Sequence, residues 1–363
     1  MLSSLLTRLF SILFVSFLLI GCGGGGGGSG GDGDNNARFY TVSFYDSVLD
    51  LNGSIKVNVN SPTVNLAELK TKLDLSSALY RASDPTDLAD QTSYTISGDT
   101  NFYATFDVVE ITDQDGLAAI NTDATTLSGK YILLNDIELR AKDGENEDEF
   151  NQTYGWKPIG YDLSNGFGGI FNGGNHKITN LWIDRPDTDI TYIIGLFGYI
   201  GNNAQIKNIG VEIAGGKSVR GYSSVGGIAG AVDGGSITNS YSTGAISGTY
   251  FVGGIAGAII SSGSITNSYS TGVISGADRV GGIAGVVNNN GSITNSYATG
   301  NISGTSTVGG IAGTVDGGSI TNGYSTGVIS GADNVGGIAG AVYDGSISNS
   351  YTTGAISGTY FVG

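Results

Sequence analysis

The ten residues GSITNSYSTG that begin at Gly235 return almost unchanged at Gly263, Gly291, Gly318 and Gly345, with successive starts 28, 28, 27 and 27 residues apart. A second phrase, VGGIAG, keeps step at Val225, Val252, Val280, Val308 and Val335. A fixed period of this size confines a chain to repeat architectures, in which each unit buries its apolar side only against its neighbours. Collagen is excluded, because the 63 glycines do not recur every third residue.

Alternation then selects the solenoid. Glycine and β-branched residues at this density disfavour a helix. Period-2 alternation over Ser236–Ser242 places Ile237, Asn239 and Tyr241 on one face and Ser236, Thr238, Ser240 and Ser242 on the other. Each repeat offers three extended pieces, VGGIAG, GSITNSYSTG and AISG or VISG, with glycine pairs such as Gly234-Gly235 at corners where a positive φ or close backbone approach is needed. Three strands and three corners describe one coil of a right-handed parallel β-helix of 27–28-residue coils, with coils stacked about 4.8 Å apart. Equivalent positions become ladders: Ile237, Ile265, Ile293, Ile320 and Ile347; Tyr241, Tyr269, Tyr297, Tyr324 and Tyr351; and an amide ladder of Asn239, Asn267, Asn295, Asn322 and Asn349. The Ile-x-Asn signature extends upstream to Asn180 and Asn208, which gives seven coils, with a 31-residue step accommodated by a small loop near Lys217–Tyr222.

IIGLFGYI, VGGIAG and GSITNSYSTG resemble the GLUG motif, a repeat of large bacterial surface proteins that include adhesin-like proteins and regions of immunoglobulin A peptidases. The run from Ile111 through WKPIG to FGGIFNGGNHKITNLWI is similar to the lead-in that precedes such repeats. The resemblance covers about Ile111 to Gly363 and implies a fold and a surface location. It carries over no catalytic residue.

The amino terminus reads as an export signal. One positive charge in Met1–Arg8 precedes the apolar run Leu9–Ile20, too short for a permanent span but suited to a signal-peptide core. Leu19-Ile20-Gly21-Cys22 resembles the lipobox of bacterial lipoproteins, which implies lipidation at Cys22, the sole cysteine. The alternative is an ordinary secretory signal with an incidental cysteine. Gly23 stands where an inner-membrane retention signal would place Asp, so the expected location is the outer membrane, lipid-anchored and surface-exposed. GGGGGGSGGDGDNN then supplies a flexible tether, about 20 Å end to end.

Between tether and solenoid, FYTVSFYD reads as a strand, TVNLAELKTKLDL as a short amphipathic helix and TSYTISGDTNFYATFDV as a closing strand pair. VSFYD and TNFYATFD resemble the Listeria–Bacteroides type of β-grasp repeat, which implies a small α+β spacer or weak binder. The expected organisation is a signal peptide over 1–21, lipidated cysteine and tether over 22–37, a β-grasp-like module over 38–109, a lead-in over 110–166 and coils over 167–363. The last nine residues, Ala355–Gly363, repeat Ala245–Gly253 and stop as a new VGGIAG strand begins, so the expectation is a chain truncated at its carboxyl end.

Charge narrows the function. The chain carries −16, but Gly221 to Gly363 holds five acids and one base, Arg279, a net of −4. Nucleic-acid binding needs a basic footprint that is missing. The acidic run Asp143-Gly-Glu-Asn-Glu-Asp-Glu149 offers a weak calcium candidate at Asp143, Glu145 and Glu147, against the plainer reading of a solvated loop, since EF-hand spacing is lacking. His176 is the single histidine, so any Ser-His-Asp arrangement must pass through it. Asp136 and Glu138 are the best carboxylate pair for glycoside chemistry, and alternation in LLNDIEL points both outward. No cofactor is expected.

What remains is a flat outer face built from Ser236, Ser264, Ser292 and Ser319 beside Thr238, Thr266, Thr294 and Thr321. Regularly spaced hydroxyls suit a periodic partner such as a polysaccharide, or ice. Equally, stacked Ser and Thr simply avoid the repulsion that ladders of like charge would suffer. The expectation is adhesion to carbohydrate or a host or matrix protein. The alternatives are a glycan-acting enzyme, a non-catalytic fragment of a GLUG-containing surface peptidase, or a structural spacer.

Overall fold

The computed structural model describes residues 108–142, 150–186, 193–201 and 203–363 in full, and before them the backbone of six strands between 39 and 104. The chain divides into two units, residues 1–107 and 108–363.

In the first unit Phe39–Asp46 pairs antiparallel with Leu51–Asn58 and parallel with Thr100–Ala104, and Thr100–Ala104 pairs antiparallel with Leu79–Arg81. The result is a mixed four-stranded sheet. Thr63–Asn65 and Ser93–Thr95 form a separate antiparallel pair. The expected closing strand pair is therefore split between two sheets. Thr63–Asn65, the start of the segment read as helix, is extended, and the remainder of that segment lies outside the described residues.

The second unit is a parallel β-solenoid. Five parallel sheets run along it, and six complete five-stranded coils are present among the described residues. One coil runs Ser236–Thr238, Tyr241–Thr243, Ala245–Ser247, Tyr250–Gly253 and Ala256–Ile260. The strand class is as the sequence predicts, but there are five short strands per coil where three were expected. GSITNSYSTG bends at Asn239, whose φ of 50° lies in the left-handed region, a conformation that asparagine tolerates better than other residues with a Cβ. The bend slips the alternation by one. Ser240 and Ser242 are buried beside Ile237, while Thr238, Asn239 and Tyr241 turn outward.

Inside, each coil contributes the same apolar set. Ile237, Ile246, Val252, Ile255, Ala256 and Ile259 are all at most 1% exposed, and their equivalents stack in register above and below. Fully burying each Ile or Val contributes about 1.5–3 kcal/mol, so a coil gains stability only once neighbours cover both of its edges. The buried serines repair the corner at Asn239. Ser240 Oγ donates to Thr238 O (2.8 Å), and Ser268 Oγ accepts the Ser240 amide (3.2 Å). Backbone groups that the bend removes from the ladder thus keep partners.

Period and phase also acquire physical causes. Coils of 28 residues turn from the Ala256–Ile260 strand, or its next copy, through two left-handed residues, Ser261-Ser262 or Asn289-Asn290, whereas those of 27 use a single one, Gly317 or Asp344. The longer upstream step comes from an exposed turn at Gly215-Gly216, just before the expected loop, since Ser218–Gly221 is itself a strand. Ile178-Thr-Asn180 is not a member of the Ile-x-Asn column. Phe171 pairs with Ile206, and Ile178 faces Val211 one sheet further on.

The amino-terminal end is covered by two short helices, α1 (Gln114–Ala119) and α2 (Ala124–Leu127). Asp113 caps the first by accepting from Gly116 N (2.8 Å), and Asp123 with Thr126 forms a capping box on the second. Leu117, Ile120 and Leu127 seal the apolar column beneath.

Candidate functional site

Two surfaces run along the coils, and they differ in kind. The first is the predicted hydroxyl face. Ser236, Ser264, Ser292 and Ser319 align in register, as do Thr238, Thr266, Thr294 and Thr321, all half-buried. At the adjoining corner, amide bonds connect successive asparagines: Asn239 to Asn208 (3.3 Å), Asn267 to Asn239 (3.2 Å), Asn295 to Asn267 (3.1 Å) and Asn322 to Asn295 (2.8 Å). Asn208 closes the row on Asn172 (3.0 Å), a residue absent from the sequence expectation. Asn180 stands outside it and donates to Leu139 O (2.6 Å), because its segment occupies the next sheet. Asn349 shares the left-handed backbone (φ 49°).

Beyond the corner, Tyr241, Tyr269, Tyr297, Tyr324 and Tyr351 stack with centroids 5.1, 4.9, 4.7 and 5.5 Å apart and planes within 9°. Parallel stacking covers ring faces and leaves edges and hydroxyls outward. Burial, and for Tyr241 the Glu212 carboxylate at 3.3 Å, pushes the Tyr241 and Tyr297 phenols above their ordinary range. Across these coils the strip is flat, hydroxyl- and amide-rich, and nearly invariant.

The second surface was not anticipated. Where Tyr250–Gly253 and its equivalents meet Ala256–Ile260 and its equivalents, a groove of about 410 Å³ runs from Ser224 to Tyr343. Its floor is Ala258, Val286 and Thr314. One wall is Ser224, Phe251, Arg279 and Thr307; the other is Ile260, Asn288, Asp316 and Tyr343. The first wall comes from one repeat position, the residue before each Val-Gly-Gly, and every member has φ between 49° and 54°. Left-handed backbone costs a residue with a Cβ about 1–2 kcal/mol. The third glycine of each VGGIAG phrase makes the kink fit: a Cβ on Gly285 would overlap the Phe251 backbone, and one on Gly313 the Arg279 backbone. Arg279 lies over the Phe251 ring (5.0 Å to the centroid) and 3.5 Å from Asp278. Asn288 Oδ1 is buried without a hydrogen-bond partner. At the groove's upstream end Tyr199 donates to Asp233, and burial together with that carboxylate pushes its phenol up to about 12.

The signal for this groove was present in the sequence as a column of unlike residues, S-F-R-T-N, inside an otherwise constant phrase. Alternation alone does not reveal it, because the wall depends on a left-handed residue that breaks the alternation.

The remaining candidates disperse. His176 Nδ1 lies 3.2 Å from Asp136 Oδ1, which also accepts the Lys177 amide (3.1 Å). That pair ties neighbouring coils together. Asp136 and Glu138 both point outward, and Glu138 is engaged by Arg140 at 2.9 Å. Among the described residues no group of three His, Cys, Asp or Glu is placed to hold a metal. Asp143, Glu145 and Glu147, and Cys22 with its tether, lie outside the described residues.

The chain carries the GLUG motif, matched at residues 221–247 and 276–303. Each match is one full turn, beginning near the corner that precedes the Val-Gly-Gly strand and ending on the next Ile-Ser strand. Halomucin of Haloquadratum walsbyi is 31% identical over 117 residues, 32% of this chain and 1% of that protein. A protein of Evansella cellulosilytica assigned as a Gly-rich membrane protein is 46% identical over 55 residues, 15% of this chain and 6% of that protein. The chain thus spans a small part of the length of these relatives. A crystal structure of a Bacteroides ovatus protein assigned as an immunoglobulin A1 protease has a TM-score of 0.55 at 24% identity, over 69% of this chain and 77% of that one. It shares the fold.

Proposed function

We propose that this chain is a surface-displayed solenoid that makes adhesive contact with extracellular carbohydrate or matrix, held to the outer membrane through lipid on Cys22 and lifted from it by the Gly-rich tether. The observation that carries this reading is the repetition of neutral hydrogen-bonding groups at a fixed spacing along several coils. Each site is weak, and a periodic partner engages many at once, so affinity grows with coil number through effective concentration. Two features support contact over chemistry. The side chains presented by the regular coils are nearly chargeless, and the outward carboxylates Asp136 and Glu138 are engaged by His176 and Arg140. The relatives named as a mucin and a membrane protein accord with display at a cell boundary.

The test is a glycan and matrix-protein array probed with the full chain and with a variant lacking residues 264–291, one 28-residue coil. Saturable binding that weakens at least several-fold in the shorter variant is expected. Silence on every ligand from a chain shown to be folded by circular dichroism overturns the adhesive reading in favour of a spacer. Turnover of any arrayed glycan overturns it in favour of an enzyme.

A further inference from the structure

We infer that the groove between Ser224 and Tyr343 is a binding site for a linear, uncharged glycan lying along the solenoid axis. This rests on the proposed contact with carbohydrate and adds a second surface to it, distinct from the Ser/Thr face.

Three observations converge. First, both walls of the groove vary from coil to coil. Core and Thr columns keep their residues, whereas one wall reads Ser224, Phe251, Arg279, Thr307 and the other Ile260, Asn288, Asp316, Tyr343. Unconstrained drift at a left-handed position favours Gly and Asn, as the Asn239 column shows. Phe, Arg and Thr at φ of 51–54° run against that preference, so their side chains are retained for what they present. Second, Asn288 Oδ1 is a buried acceptor with no donor. A ligand hydroxyl reaching the groove supplies one. Third, the rungs combine both chemistries: Phe251 with Ile260 is apolar, while Arg279 with Asn288 and Thr307 with Asp316 are polar.

A sugar chain matches this mixture, because each ring carries an apolar face and a rim of hydroxyls. Other occupants match less well. The backbone of both walls is committed to the parallel ladders, so an extended peptide finds no strand edge to pair with. An acyl chain would have to cross the polar rungs without hydrogen bonds. Charge excludes an acidic polymer: Arg279 is the only base from Gly221 onward, it is already shared with Asp278 and the Phe251 ring, and Asp316 faces the same channel.

The experiment uses the full chain with cellohexaose, xylohexaose, laminarihexaose and maltohexaose as neutral probes and polygalacturonate as the charged one, read by isothermal titration. Three variants separate site from scaffold: Asn288→Ala, Asp316→Ala and, on the other face, Thr266→Val. At least one neutral hexasaccharide is expected to bind saturably, with affinity at least tenfold weaker in Asn288→Ala and Asp316→Ala and unchanged in Thr266→Val. Asn288→Ala is also expected to keep or raise the melting temperature, a result that a purely structural Asn288 would not give. Binding that survives both groove variants and falls in Thr266→Val overturns the groove and leaves carbohydrate adhesion standing. Preference for polygalacturonate overturns the neutral ligand. If no glycan binds, here or on the array, both readings fall together.

Discussion

The Thr-Asn-Tyr strip and the groove are built from the same coils, yet one is nearly constant from coil to coil and the other changes at each step. The difference lies in what each side chain touches. On the strip, every residue contacts its own copy above and below: amide on amide, ring on ring, hydroxyl beside hydroxyl. A substitution in one coil breaks two contacts, so identity is enforced by stacking. In the groove the walls lean over small floor residues and leave room at each rung, so that Phe251 and Arg279 can be neighbours. Repetition therefore reports stacking, and departure from repetition marks positions that stacking does not constrain.

The largest way to break the comparison is at the strip's glycine corner. A Cβ on Gly300 would overlap the carbonyl oxygen of Gly272 in the coil before. No flexible atom can yield there, so Gly300→Ala forces coils apart and is expected to cost more than about 4 kcal/mol, in the range of severe single mutations. Thermal unfolding followed by circular dichroism checks it. A loss below about 1 kcal/mol would show that the coils slide freely, and close stacking would no longer explain the constancy.

Next come paired variants at Asn295, which carries both a left-handed backbone (φ 50°) and two ladder bonds, to Asn267 and from Asn322. Asn295→Gly keeps the backbone at ease and removes the amide, for a loss of about 1–2 kcal/mol from hydrogen bonding. Asn295→Ala adds left-handed strain of about 1–2 kcal/mol. Denaturant melts of the two should differ by that second amount. Equal losses would assign the column to the ladder alone.

The opposite sign is expected across the molecule. Thr307 is β-branched at φ 54° in the groove wall. Thr307→Gly removes strain of about 1–2 kcal/mol and should raise the melting temperature by about 2–4 °C per kcal/mol for a unit of this size. A fall would mean that Thr307 is a packing residue, and the contrast between strip and groove would lose its energetic basis.

How much of this was legible beforehand follows from the same distinction. The solenoid could be read because Ile237 and its copies repeat at a period that only stacked coils satisfy. The five-strand outline could not, since nothing in GSITNSYSTG distinguishes a continuous strand from one broken at Asn239 until φ is known. That single bend moves Ser240 and Ser242 from the outer face to the interior. Ile178-Thr-Asn180 shows the converse, with three letters matching a motif that their register denies. The hydroxyl columns were visible as letters, whereas the groove requires residues from two strands joined through a kink. An irregular column is easily passed over when regularity is the guide.

A smaller effect appears in alkali at the groove's upstream end. Tyr199, donating to Asp233, has its phenol pushed up to about 12 from an unfolded value of 10. The folded state therefore holds this proton more tightly than the unfolded chain does. Its contribution is fully present below pH 10 and is lost as the pH rises through the folded value of about 12. Stability measured from pH 8 to 12 should fall less steeply in Tyr199→Phe than in the parent, and superimposable profiles would discard Tyr199 as the source.

The smallest effect tests whether sameness alone implies need. Ser242, Ser270 and Ser325 occupy one interior column, yet Ala298 stands among them, equally buried. Ser242 Oγ donates to Gly254 O at 2.5 Å and approaches Ser270 Oγ at 3.4 Å. Ser325 Oγ is buried and bonded to nothing. A hydroxyl in that position costs desolvation with no return. Ser325→Ala should therefore stabilise the fold by up to about 1 kcal/mol, while Ser242→Ala should cost about as much. Paired urea melts resolve the two signs. If both variants lose stability, the column is selected as a ladder like the asparagines. If the signs divide, the serine at 325 is a legacy of repeat duplication that the coil tolerates, and identity along a solenoid marks need only where each copy has a partner to bond.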